Sequence, residues 1–143
     1  MPSVARLTGI VLVTALVSCS NTAKLPNISS VLLDSTGQNG RACIKANDIR
    51  GYGVLEQDVI SIDARNRYYL ATVLPGCIDL ASSSRAMFGS RSYEVCGGGM
   101  GQVQTGGDNC TIRHIFEFDN REAAFAAHDS AVKARKAAAD NTE

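Results

Sequence analysis

Four cysteines within 77 residues constrain this chain more than any other feature. Cys43, Cys77, Cys96 and Cys110 all lie in residues 42–118, separated by 33, 18 and 13 residues. No C-x2–4-C pair occurs, so the spacing excludes a zinc knuckle, and no metal site is expected. There is no CxxC pair for redox chemistry either. A body this small buries a modest core and gains much from crosslinks. The four cysteines are therefore read as two disulfides, which belong to an oxidising compartment. Four cysteines allow three connectivities. The expected one joins Cys96 to Cys110 and Cys43 to Cys77, the first closing a hairpin-like loop through Gly97-Gly98-Gly99-Met100-Gly101.

Disulfides require export, and the start of the chain supplies a signal for it. Arg6 provides a positive n-region, and residues 7–17 are eleven uncharged, mostly apolar residues. That run suits a signal peptide and is too short for a membrane span of about 20 residues. It ends in Leu16-Val17-Ser18-Cys19, which resembles the bacterial lipobox. The resemblance implies diacylglyceryl attachment at Cys19, cleavage before it, and a membrane partner through acyl chains. Removing 18 of 143 residues leaves 125, and losing Arg6 leaves 13 basic against 14 acidic side chains. Ser20, where an Asp would signal inner-membrane retention, implies the outer membrane of a Gram-negative cell, facing the periplasm.

The expected organisation is a signal peptide at 1–18, a lipidated tether at 19–41, a β-rich domain at 42–118 and an alanine-rich helical tail at 119–143. The tether is rich in Asn, Ser, Pro and Gly, which favour open chain, although Val31-Leu32-Leu33 could dock on the body. Strands are expected at 59–63 and 68–74, with weaker ones at 42–44, 52–55, 85–88, 93–96 and 102–105. Cys110, Ile112, His114, Phe116 and Phe118 share one parity, the sign of a last strand with one buried face. This is a mainly β fold: a small antiparallel sheet or partly closed barrel stapled by disulfides, with a C-terminal α-helix. The helix is expected over 121–139, capped by Asp119 with Glu122, solvated and frayed rather than docked.

Composition removes several functions. Basic and acidic residues balance at 14 each, against a nucleic-acid partner. With 6% aromatics and no Trp, an extended stacking platform for single strands or sugars is poorly supplied. The glycine run lacks a Gly-Lys-Ser/Thr ending and is expected to be a flexible connection with positive φ, not a phosphate loop. His114 is expected as a hydrogen-bonded core residue, and His128 has no partner at a useful helical offset except Asp129. No nucleophile elbow is present. Asp48-Ile49-Arg50-Gly51-Tyr52-Gly53 is the most distinctive run, where two glycines suggest a bulge or a close backbone approach.

Cys43-Ile44, Asp48 to Tyr52, the 59–62 and 68–74 strands, Cys77, Val95-Cys96 and Cys110-Thr111-Ile112 together resemble a family of small four-cysteine exported proteins and lipoproteins of Gram-negative bacteria, a domain of unknown function. The resemblance implies export and disulfides and adds no catalytic residue or cofactor. The expected function is a non-enzymatic envelope accessory or binding module with an envelope protein partner. The alternative is a small periplasmic hydrolase-like enzyme using Asp48, Arg50 and His114.

Overall fold

The computed structural model describes residues 26–141. The expected signal peptide and Cys19 lie outside them. The fold is mainly β, and all eight expected strands form. β1 (Cys43–Lys45) and β6 (Glu94–Cys96) make a two-stranded antiparallel sheet. β2 (Ile49–Glu56), β3 (Val59–Ala64), β4 (Arg67–Val73), β5 (Met87–Gly89), β7 (Gln102–Gln104) and β8 (Asn109–Phe118) make a second sheet, all antiparallel, in the order β2-β3-β4-β8-β7-β5. This sheet curls into a half-barrel. Its two edges meet through side chains instead of a strand pair. Tyr52 on β2 packs edge-to-face on Phe88 of β5 with ring centroids 5.8 Å apart, and its hydroxyl donates to the Ser83 carbonyl at 2.9 Å.

The concave face holds Ile60, Ile62, Ala71, Val73, Ile112 and Ile115, closed over by Ile44 and Val95 of the small sheet. The convex face holds Val59, Leu70 and Phe116 beneath two helices. β8 serves both faces, which corrects the expectation of one continuous buried parity. Thr72 pairs with His114 but Val73 pairs with Ile112, so Arg113 is an extra residue in a β-bulge. The bulge inverts the alternation. Cys110 and Ile112 point to the concave core before it, and Ile115 does after it, while Phe116 turns to the helices.

The glycine run is packed and hydrogen-bonded against β8 instead of forming an open connection. Gly98 and Gly99 do have positive φ. Their N–H groups donate to the Arg113 and Ile112 carbonyls of the bulge at 2.7 and 3.0 Å. A Cβ at Gly97 would lie 2.1 Å from the Gly40 carbonyl oxygen and 2.7 Å from the Ile115 nitrogen, so only glycine lets three backbone segments meet.

Two helical expectations are corrected. The supposed tether contains α1 (Ile28–Thr36), capped by the Asn27 side chain and ended by left-handed Gly37. Ile28 and Leu32, four apart, share one face and are fully buried. Each contributes roughly 1.5–3 kcal/mol of burial, which outweighs the coil preference of the flanking polar residues. The tail forms α2 (Arg121–Asp140), capped by Asn120 rather than Asp119. It docks: Ala124 and Ala131 are fully buried against α1 and the sheet, because a methyl stripe lets helices approach closely. Asp119 instead pairs with Arg67.

Two disulfides form, but with neither of the expected partners. Cys43 bonds Cys96, and Cys77 bonds Cys110. Cys43 and Cys96 are direct partners in the β1–β6 register, with Cα atoms 4.1 Å apart. The chain after Cys96 turns back onto β8 instead of forming a hairpin, which leaves Cys110 to the segment leaving β4. Non-reducing peptide mapping should recover these two pairs. Replacing Cys77 and Cys110 together by alanine opens a crosslink between residues 33 apart and should lower unfolding free energy by about 4 kcal/mol in a denaturant titration.

Candidate functional site

The distinctive run at 48–53 becomes the floor of a cleft. Alternation along β2 sends Tyr52 and Val54 into the concave core. Gly51 and Gly53 therefore face the convex side, opposite Asp63 and Ser61 of β3. Tyr52 is thus partly buried against the core while Arg50 is exposed, so the two do not form one exposed patch. The result is a trough of about 760 Å³, a common size for a small-ligand site. Its ends and side are the β3–β4 turn with the start of β4 (Arg65, Asn66, Arg67, Tyr68) and the approach to and first turns of α2 (Asp119, Asn120, Arg121, Phe125).

Gly51 follows a bulge that shifts the β2 register between Ile49 and Gly51, as the paired glycines suggest, yet nothing packed against it requires glycine. Its φ is not positive, and a Cβ there would meet nothing within 4 Å. A mid-strand glycine costs roughly 0.5–1 kcal/mol relative to alanine. What it provides is bare backbone facing the cleft, open to close approach by a ligand. At Gly53 a Cβ would press on the Ser61 hydroxyl at 3.1 Å.

Charged and aromatic groups line the walls. Arg67 lies 3.3 Å from Glu117 and also pairs with Asp119. Arg65 lies 3.7 Å from Asp48. Arg121 differs: its guanidinium stands 5.0 Å from the Phe125 ring centroid, and no ion pair holds it among the described residues. Tyr68 and Phe125 pack with centroids 6.0 Å apart and are both half-buried.

The residues of the enzyme alternative do not come together. Asp48 pairs with Arg65, and Arg50 is exposed on β2. His114 is on β8, three strand spacings away, or roughly 14 Å. It pairs across from Thr72, with Phe116 6.1 Å away and Gly40 packed on its ring. It is not the hydrogen-bonded core histidine expected, because its Nδ1 is buried without a partner. Burial, and then the charge of Arg113, lowers its pKa below the usual 6.5.

Sequence reasoning missed Glu56. Its Oε1 lies 3.1 Å from His128 Nε2, and its Oε2 accepts from Arg135 at 2.6 Å. These partners are 72 and 79 residues away. Both carboxylate oxygens are engaged, so the group clasps α2 to the β2–β3 hairpin. Its arginine and carboxylate are mostly buried. Near Cys43, Cys96 and Glu94 place possible ligand atoms within 4.8 Å, but both sulfurs are in the disulfide and offer no thiolate.

Two expectations follow. Glu56→Gln should lower stability by about 1–3 kcal/mol, read by thermal or denaturant unfolding, because Arg135 loses its anion. His114 binds its proton less readily folded than unfolded. Its contribution is therefore whole above pH 6.5 and is lost as pH falls from there through the lowered folded value. Stability measured from pH 7 to 5 should fall less steeply in His114→Gln than in the parent; parallel slopes would show that His114 is not responsible.

The model of a family of unknown function, DUF6491, matches residues 3–135. No curated protein and no solved structure matches the chain.

Proposed function

This chain belongs to the DUF6491 family of unknown function, and from its own residues we propose that it is a lipid-anchored envelope protein acting as a non-enzymatic binding module. The observation that carries this reading is the cysteine pairing. Cys43, Cys77, Cys96 and Cys110 satisfy one another. That leaves Cys19 as the odd one of five, at the end of an eleven-residue apolar run and a lipobox-like sequence. Two disulfides in a small body fit an oxidising periplasm. No helix among the described residues is long and apolar enough to cross a membrane. Acyl chains on Cys19 would supply the attachment, and Ser20 favours the outer membrane.

Binding is favoured over catalysis by what lines the cleft. Its walls carry charged, hydrogen-bonding and aromatic groups with bare backbone between them, and of its two carboxylates, Asp63 and Asp119, the second is already paired with Arg67. The anchor is tested by growing cells with an alkyne fatty acid. The protein should take up the label and fractionate with outer membrane. Cys19→Ala should lose the label and accumulate as a heavier, uncleaved form. An unlabelled parent of unchanged mass would sink the anchor.

A further inference from the structure

We propose that the glycine-floored cleft binds one or two rings of a carboxylate-bearing saccharide. This rests on the binding-module reading and gives the ligand a chemical class. The floor is flat because Gly51 and Gly53 project nothing from β2 and Ser61 is small. A pyranose presents a flat C–H face to such a surface. Tyr68, half-exposed at one end, supplies an aromatic face for the same purpose. One seat needs only one or two rings, so a low aromatic content does not bear on it.

Sugar hydroxyls both donate and accept, and the rim offers both roles. Asn66 and Asn120 carry amides, and Asp63 carries a carboxylate. Arg121 supplies the charge preference. Arg65 and Arg67 are already engaged by acidic side chains, whereas Arg121 is held by the Phe125 ring and keeps its guanidinium for a ligand carboxylate. A polyphosphate ligand would need more than one uncommitted cation. An extended peptide would pair along the free edge of β2, not across its face.

Two envelope polymers that carry carboxylated sugars serve as sources to compare: the lactyl-ether amino sugar of peptidoglycan and the keto-acid sugar of lipopolysaccharide core. The full-length protein, purified from membranes in detergent, should be titrated calorimetrically with four probes. These are the N-acetylglucosamine–N-acetylmuramic acid disaccharide, a core oligosaccharide with a keto-acid sugar, uncharged di-N-acetylglucosamine and inorganic phosphate.

One of the two carboxylated saccharides should bind at least about tenfold tighter than the uncharged dimer, and which one names the source. Gly51→Val should fold with an equal or higher melting temperature, since a Cβ there meets nothing and valine suits a strand, yet bind at least about tenfold more weakly. Arg121→Gln should erase the preference for the charged sugar. The proposal is overturned if neither acid saccharide binds, if folded Gly51→Val binds like the parent, or if phosphate alone reproduces the binding. Acyl labelling reads the anchor separately. A different ligand whose binding is blocked by Gly51→Val would keep the binding module and remove the saccharide.

Discussion

The bulge at Arg113 switches which residues of β8 face the concave core. In a regular strand Ile112 and Ile115, three apart, would lie on opposite faces. One extra residue redirects the second half, so Ile112 and Ile115 both reach the concave core while Phe116 turns to the helices. The unpaired backbone that a bulge creates must still be satisfied. Gly98 and Gly99 do this by donating to Arg113 and Ile112, and Gly40 accepts from Ile115 at 2.8 Å. These glycines approach β8 as closely as they do because a Cβ at Gly97 would strike backbone on two sides.

The small sheet, both disulfides and both helices are then arranged around β8. Ile44 and Val95 close the concave side, and the Cys43–Cys96 bond ties their strands together. Cys77–Cys110 fixes the chain leaving β4 to the start of β8. On the convex side, α1 and α2 present Ile28, Leu32, Ala124 and Ala131, and Glu56 holds α2 through His128 and Arg135. The helices leave a strip of β2 and β3 uncovered. Gly51 and Gly53 keep the β2 side of that strip free of side chains, so the cleft is what remains where the second layer stops.

Much was readable locally. Strand existence follows from β-rich and alternating runs of three to ten residues, and all eight expected strands form. The C-terminal helix follows from alanine content, and the two-disulfide reading from even cysteine count and spacing. Helix capping was placed one residue early, because Asp119 and Asn120 are both good caps and tertiary pairing with Arg67 drew Asp119 away. The tether failed because propensity weighs nine coil-favouring residues, whereas two buried side chains, Ile28 and Leu32, decide whether a short helix docks.

The sequence by itself determined which segments are extended, where the chain is cut into strands by turns, and that four cysteines pair within the body. Those are properties of neighbours along the chain. Only the tertiary structure decided which cysteines meet, which way β8 faces beyond Arg113, and that Glu56 finds His128 and Arg135. The partners concerned are 33 to 79 residues apart, and no local pattern encodes a register between them. The cleft belongs to the second group. Two glycines in a strand signal an open place, but only the packing of α2 and the β3–β4 turn around them makes it a site.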